Sequence, residues 1–311
     1  MQIAKYNPEM VKIWDEFVLM AKNRHFFFQR GYMEYHSDRF IDCSLLFFDD
    51  RNRLLAIIPA SKSGSRFVSH GGLTFGGFLV DDRMTTSLML EIFDVMKMYL
   101  RNEGFSEFIY KCIPYIYHRY PAEEDRYALF RNKAELFRRD VSTAVYLPDK
   151  YKYHKLRKRM VSKGKKNGFV LAENRDFSSF IALENQVLDK YHGVSAVHTG
   201  KELELLASKF PNNIKLYTSS LNGELYAGTV IFDNGNTVHT QYIANSDAGR
   251  KTGALDCLID YLLTDVYADR EYFDFGTSSE SDGMYLNEGL IAQKEGFGAR
   301  AVVHDFYRIM L

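Results

Sequence analysis

Apolar residues along this chain alternate between two spacings. From Glu9 to Asn23 they recur as Met10, Ile13, Trp14, Phe17 and Val18, the one-sided stripe of a helix, with Asn7 and Pro8 placed to cap it. Short apolar runs follow at Ser44–Asp49 and Leu54–Pro59 around the turn Asp50-Arg51-Asn52, which predicts a hairpin. After the glycine-rich stretch FVSHGGLTFGGFLV, helical spacing returns over Thr85–Asn102 and stops at Gly104. Phe108–Ile113 reads as a strand, AEEDRYALFRNKAELFRRD as a helix and STAVYL as a strand.

The order then restarts. Lys152–Gly168 predicts a basic helix, Phe177–Tyr191 a second and Gly200–Phe210 a third, with Pro211 beyond. Ile214–Ser219, Leu225–Phe232 and Thr237–Ile243 predict strands joined by turns at Asn222-Gly223 and Asn234-Gly235-Asn236. A glycine-bearing loop and a helix come next, then a strand at Tyr272–Phe275, a helix at Leu286–Gly296 and a strand at Val302–Ile309. Both halves run from helix through hairpin or meander to alternating helix and strand. This predicts two α+β domains of similar plan, 1–145 and 146–311, with mixed sheets flanked by helices.

Composition narrows the function. Apolar residues make up 46% and charged residues 26%, as in an ordinary globular chain with enough material for a packed core. Lys+Arg and Asp+Glu number 40 each, so net charge points to no polyanionic partner and DNA is not expected. Cys43, Cys112 and Cys257 form no CxxC or Cys/His cluster, so no metal site is expected; Cys257 falls on an apolar helix face and reads as core. The N-terminus lacks a signal-peptide h-region and no apolar run approaches 18 residues. These features predict cytoplasmic residence; oligomeric state is not readable.

The segment YIANSDAGRKTGALDCLIDYL poses the sharpest chemical question. An apolar strand breaks into small residues and two cations, then resumes as a helix. Free amides at a helix start, with the positive dipole end and glycine, suit a phosphate. A plain turn before a helix with a solvated basic start accounts for the same residues. In YFDFGTSS, Asp274 would sit opposite Phe273 and Phe275 on a strand, either as a desolvated general base or as an Asx cap for the loop after it. His239, Glu288 and His304 are weaker base candidates. SHGGLTFGG carries four glycines in the eight residues after Ser69 and presents His70 and Thr74, as a substrate-binding loop or a tight hairpin. YMEYHSDRF supplies Tyr35, His36 and Arg39. From Lys150 to Lys166, nine of 17 residues are Lys or Arg, which suits either an anionic acceptor or a solvated helix face.

Three of these segments together, SHGGLTFGG, YIANSDAGRKTGALDCLIDYLL and FDFG…NEGLIAQKEGFG, resemble the FemAB-like branch of the GNAT acyltransferases, over nearly the whole chain. The resemblance implies two tandem GNAT-like domains, the first shaping an acceptor cleft and the second holding acyl-CoA. It implies acyl transfer, with acetyl-CoA as the favoured donor, to an amine of a cell-envelope precursor such as an amino sugar or amino acid. The acceptor would be small or lipid-linked and anionic, and tRNA ranks behind it. The cofactor would lie along Tyr242, Ile243 and Ala244 and on Arg250, Lys251, Thr252, Gly253 and Ala254. Arg250-Lys251-Thr252-Gly253 matches the first half of the family's Arg/Gln-x-x-Gly-x-Gly/Ala loop, whereas Leu255 stands at the last position. The resemblance places Lys294 near the substrate and leaves Ala292 where many relatives have an acid Tyr, so Tyr285 becomes the nearest replacement. Two other readings stay open: an aminoacyl-tRNA-dependent peptidoglycan aminoacyltransferase, and a degenerate pair retained as a binding scaffold.

Overall fold

The computed structural model describes residues 1–311, the side chains of Tyr191 and His192 excepted. Its contacts divide the chain into two compact units. One comprises Met1–Val141, Glu280–Tyr285 and Val303–Leu311, the other Ser142–Ser279 and Leu286–Val302.

The first unit opens with β1 (Gln2–Lys5) and α1 (Val11–Met20), where Asn7 caps the turn before α1 by accepting the Glu9 amide. Then come the short helix α2 (Arg30–Met33), β2 (Ile41–Asp42), β3 (Leu45–Phe48), β4 (Leu54–Ile58), β5 (Ser61–Ser63), β6 (Arg66–Val68) and β7 (Leu79–Val80). These precede α3 (Thr86–Asn102), β8 (Glu107–Lys111) and α4 (Glu124–Arg131). The antiparallel sheet β1-β3-β4-β7 and the ladder β8-β6-β5-β2 pack with α3 around Phe47, Phe67, Phe78, Phe93, Phe108 and Tyr110. The predicted hairpin and α3 form where the apolar spacing placed them, and Thr85 caps α3 by accepting the Leu88 amide.

The long helix expected over residues 122–140 does not form. It ends at Arg131, where Asn132 turns its side-chain amide onto the Ala128 carbonyl and Lys133 takes φ of 54°. Beyond that stop, β9 (Glu135–Tyr146) runs as one strand, so ELFRRD and STAVYL are a single element. Chain-local helix propensity in AELFRRD gives way to sheet pairing.

The second unit contains α5 (Lys155–Asn167), β10 (Val170–Asn174), α6 (Phe177–His192), α7 (Gly200–Lys209), β11 (Ile214–Leu221), β12 (Glu224–Asp233) and β13 (Thr237–Asn245). It continues with α8 (Asp247–Thr252), α9 (Ala254–Tyr261), a π-helical turn at Leu262–Val266 and β14 (Tyr272–Thr277). The short strands β15 (Ser279–Glu280) and β16 (Tyr285–Leu286) precede α10 (Glu288–Glu295) and β17 (Arg300–Met310). From Val303 onward β17 belongs to the first unit, pairing antiparallel with β8. The second unit's sheet runs β10-β11-β12-β13-β14 and ends on the last residues of β9. All pairs are antiparallel except β13 with β14. Its core gathers Val145, Tyr217, Val238, Leu258, Leu262, Phe273 and Phe297.

The expected loop at residues 249–254 is helical. Ser246 caps α8 by accepting the Gly249 amide, and Gly253, at φ of 83°, ends α8 and starts α9. α5 crosses α9 here at backbone distance: a Cβ on Gly253 would lie 2.3 Å from the Met160 carbonyl oxygen, and one on Gly164 2.4 Å from the Gly253 carbonyl oxygen. Only glycine permits that approach. Among the described residues no helix is long and apolar enough to cross a membrane, and no cluster could hold a metal ion.

Candidate active site

The parallel strands β13 and β14 pair only at Thr237–Tyr272, Val238–Phe273 and His239–Asp274. Just beyond, β13 carries a bulge: Thr240 faces Ile231 and Tyr242 faces Val230, which leaves Gln241 extra. A bulge bends and twists the strand that holds it, and β13 and β14 separate from this point. The separation opens a cleft of about 520 Å3. Ile243 and Asn245 of β13, Phe275 of β14, Leu255 and Ile259 of α9 and Phe297 give it apolar walls with a polar end. α5 contributes Leu156, Arg157 and Met160, α6 contributes Glu184, Val187 and Leu188, and α10 contributes Gln293 and Lys294. Apolar walls with a few convergent polar groups are the general form of a ligand site.

Asp274 is fully buried and all its oxygens are engaged. One accepts from the Ser142 hydroxyl and from the Gly276 amide at 3.0 Å; the other faces His239 Nδ1 at 2.9 Å. This geometry joins the two roles considered for it. It holds the Gly276 amide near the end of β14, and it orients an imidazole whose other nitrogen is left as the acceptor. His239, ranked below Asp274 from sequence, is the more available of the pair, although it does not line the cleft. Lys294 is buried, not a surface lysine. Its ammonium donates to the Gly276 and Thr277 carbonyls at 2.9 and 2.8 Å and to the Ser278 hydroxyl at 2.9 Å. Burial lowers its pKa to about 8, with Asp274 opposing the shift. Lys294 therefore fastens the end of β14 while lining the cleft. Tyr285 lies in the first unit with its side chain exposed.

The residues expected along the cofactor divide. Ile243 and Arg250 line the cleft, and Arg250 Nε donates to the Asn245 carbonyl at 3.3 Å. Tyr242 turns its hydroxyl to His198 Nδ1 at 2.6 Å. Ala244 and Ala254 are buried. Lys251 is exposed, and the Thr252 hydroxyl donates to the Ala248 carbonyl at 2.7 Å. The Gly253 amide already donates to the Gly249 carbonyl at 2.9 Å. The first turn of α9 holds a carboxylate of the protein, Asp256, paired with Arg157. Gly253 thus serves helix crossing, and Arg250 is the cation the α8–α9 segment presents to the cleft.

Sequence reading passed over Glu184 and Asn245. Glu184 is 5% exposed, and its Oε2 and Asn245 Oδ1 are buried without a hydrogen-bond partner among the described residues. Burial raises the Glu184 pKa to about 7. The signal was present: Phe177, Phe180, Ile181, Glu184 and Leu188 share one helical face, and a Glu inside an apolar stripe is unusual.

The first unit has its own hollow, about 430 Å3, lined by Arg39, Lys62, Arg66 and Arg308 with Glu107, Phe40 and Gly71. Tyr35 stacks on His36 at 4.2 Å, and His36 lies 5.9 Å from His70. His70, at φ of 47°, accepts the Gly72 amide at 3.3 Å; burial, with His36 and Lys111 adding to it, lowers its pKa to about 3, so it is neutral. Thr74 is exposed. The glycines of this loop answer to close packing: a Cβ on Gly76 would lie 2.2 Å from the Ser69 carbonyl oxygen, and one on Gly77 2.7 Å from the Tyr110 hydroxyl.

Residues 149–282 match the model of an acetyltransferase (GNAT) domain. Over the whole chain the fold is similar to that of FemX, with a TM-score of 0.70 at 11% identity, covering 100% of this chain and 98% of that one. It is also similar to a C-terminal domain assigned to a lysylphosphatidylglycerol synthetase from Agrobacterium fabrum (TM-score 0.63, 12% identity, 97% and 92% covered). A tandem GNAT protein from the clavulanic acid biosynthesis pathway aligns at a TM-score of 0.51 with 11% identity, over 99% of this chain and 98% of that one. No curated sequence matches the chain.

Proposed function

We propose that this chain, which carries a GNAT acetyltransferase domain within a FemAB-like tandem GNAT fold, transfers an acyl group from acyl-CoA to an amine of a cell-envelope precursor. The observation that carries the reading is the parting of β13 from β14 beyond His239 and Asp274, which opens an apolar cleft with Arg250 among its lining residues and Lys294 on the wall from α10. A donor arm fits such a slot, with its carbonyl near the bulge at Gln241. In the reaction the amine nitrogen bonds to the acyl carbon, the carbon–sulfur bond breaks, and the thiolate leaves as CoA. The proton lost by the amine passes to a base, for which the His239–Asp274 pair and Glu184 are the candidates; the acid that protonates the thiolate has no assigned residue. The cysteines favour direct transfer over a cysteine-bound acyl intermediate: all three are buried, and burial holds their thiols well above the ordinary range.

The acceptor belongs to the first unit in this reading. Its hollow gathers Arg39, Lys62, Arg66 and Arg308 against Glu107, a lining that suits an anionic or phosphate-bearing acceptor. The exposed cations of α5, among them Lys155, Lys158 and Arg159, suit the same charge in the second unit. A second reading has its own support. The Gly253 amide is occupied, and Asp256 sits at the start of α9, which removes part of a diphosphate cradle; this favours an aminoacyl ester donor such as aminoacyl-tRNA. The test is to incubate the protein with glucosamine 1-phosphate and either acetyl-CoA or aminoacyl-tRNA. Mass spectrometry then reports the acylated amine. Product from acetyl-CoA supports the first reading, product from aminoacyl-tRNA alone supports the second, and product from neither defeats both.

A further inference from the structure

We propose that Glu184 is the amine receptor of the cleft: its carboxylate, in a lining that Asn245 shares, docks a primary ammonium of a substrate. The proposal rests on the acyltransferase reading only for the identity of the cleft. Glu184 and Asn245 line one cavity, and Glu184 Oε2 and Asn245 Oδ1 are both buried with no hydrogen-bond partner among the described residues. Both are acceptors. A buried acceptor left unpaired carries a desolvation penalty, which a ligand donor relieves. An acyl carbonyl or a thioester sulfur offers only lone pairs, so neither satisfies these atoms. A primary ammonium offers three N–H groups and a charge. Val187, Leu188, Ile243 and Leu255 add apolar wall to the same cleft, and a pairing in such surroundings is stronger than in water.

The other charged groups of the cleft do not occupy Glu184. Arg157 from α5 pairs with Asp256 from α9. Arg250 from α8 donates to the Asn245 carbonyl, and Lys294 from α10 donates to Gly276, Thr277 and Ser278. Tyr242 of β13, outside the lining, turns its hydroxyl to His198. Burial raises the Glu184 pKa to about 7, and a docked ammonium would lower it. Preference for the cationic ligand therefore weakens as pH falls below that value.

The ammonium has two sources: the acyl group of the donor or the acceptor amine before transfer. Two ligand pairs separate them. Glycine N-ethylamide and N-ethylacetamide imitate a donor arm with and without the amine. Glucosamine and N-acetylglucosamine imitate an acceptor with and without it. Binding is followed by NMR titration at pH 7.5 on wild type, E184Q and E184A. The expected result is that within one pair the cationic member binds wild type at least tenfold more tightly. Both variants erase that preference, while the neutral member keeps its affinity within twofold. The pair that responds identifies the source. A preference that survives in both variants, or no preference in either pair, overturns the proposal. Acyl transfer by wild type in the product assay, with either of those outcomes, sinks the Glu184 assignment alone; absence of acyl transfer sinks the acyltransferase reading instead.

Discussion

Replacing Glu184 by Gln keeps the shape of the side chain and removes its ionisation. In the fold, burial holds this carboxyl's pKa at about 7, against 4.5 for an unburied Glu. At about 1.4 kcal/mol per pH unit, the gap corresponds to about 3 kcal/mol. The direction follows from proton binding. A carboxyl whose folded pKa lies above its unfolded value binds protons more tightly in the folded state. It supports the fold fully below pH 4.5, and that support is lost as pH rises through about 7. Wild type carries this loss at pH 8 and the Gln variant does not. Urea unfolding at a series of pH values measures it, because the difference between the two proteins cancels the titration of every other group. Glu184→Gln should match wild type near pH 4.5 and exceed it by up to about 3 kcal/mol at pH 8, which corresponds to a rise in Tm of roughly 5–10 °C. A difference that does not change with pH would refute the reasoning, as would a variant less stable than wild type at pH 8. Either would mean that Glu184 is solvated or paired in the folded protein.

Gly164→Ala places a methyl 2.4 Å from the Gly253 carbonyl oxygen and 2.8 Å from the Cys257 side chain. Crowding of about 1–3 kcal/mol outweighs a helix-propensity gain of about 1, so the urea midpoint should fall with the slope unchanged. Tyr110→Phe deprives the Phe78 amide of its acceptor and Asp125 of its donor, both buried, and should cost about 2 kcal/mol in the same assay. Asp274→Asn leaves the shape of the His239 site but weakens its hold on the imidazole; if the pair supplies the base, kcat should fall at least tenfold with KM little changed, and the pH profile should shift. Lys294→Met removes three hydrogen bonds from residues 276–278, and hydrogen exchange of those amides should quicken.

Much of the fold was legible because local signals agreed with tertiary ones. The stripes of α1, α3 and α6 and the turns at Asn222 and Asn234 all mark elements that form. Legibility failed where a long-range contact decided the outcome. AELFRRD has helical composition, yet Asn132 and Lys133 stop α4 and the remainder pairs as β9. GRKTGA reads as a loop, yet Ser246 caps it into α8 and α5 seals Gly253 from the far side. No feature near residue 253 announces that Gly164 will pack there. The site shows the same division. Asp274 stood out by its neighbours in sequence and Lys294 by the family resemblance, and the structure surrounds both with partners. Glu184 carries no motif, and its interest comes from what its Oε2 lacks among the described residues, a hydrogen-bond partner in a cleft built by distant segments.

Everything proposed for this chain depends on a donor entering the cleft between β13 and β14. Ile243→Trp fills that cleft from a half-buried wall position without adding charge. Calorimetric titration of wild type and this variant, once with acetyl-CoA and once with aminoacyl-tRNA, is the direct measurement. The account predicts that one donor binds wild type and that Ile243→Trp, with its melting temperature maintained, weakens that binding at least tenfold. Binding that Ile243→Trp leaves untouched, or no heat from either donor, would contradict it.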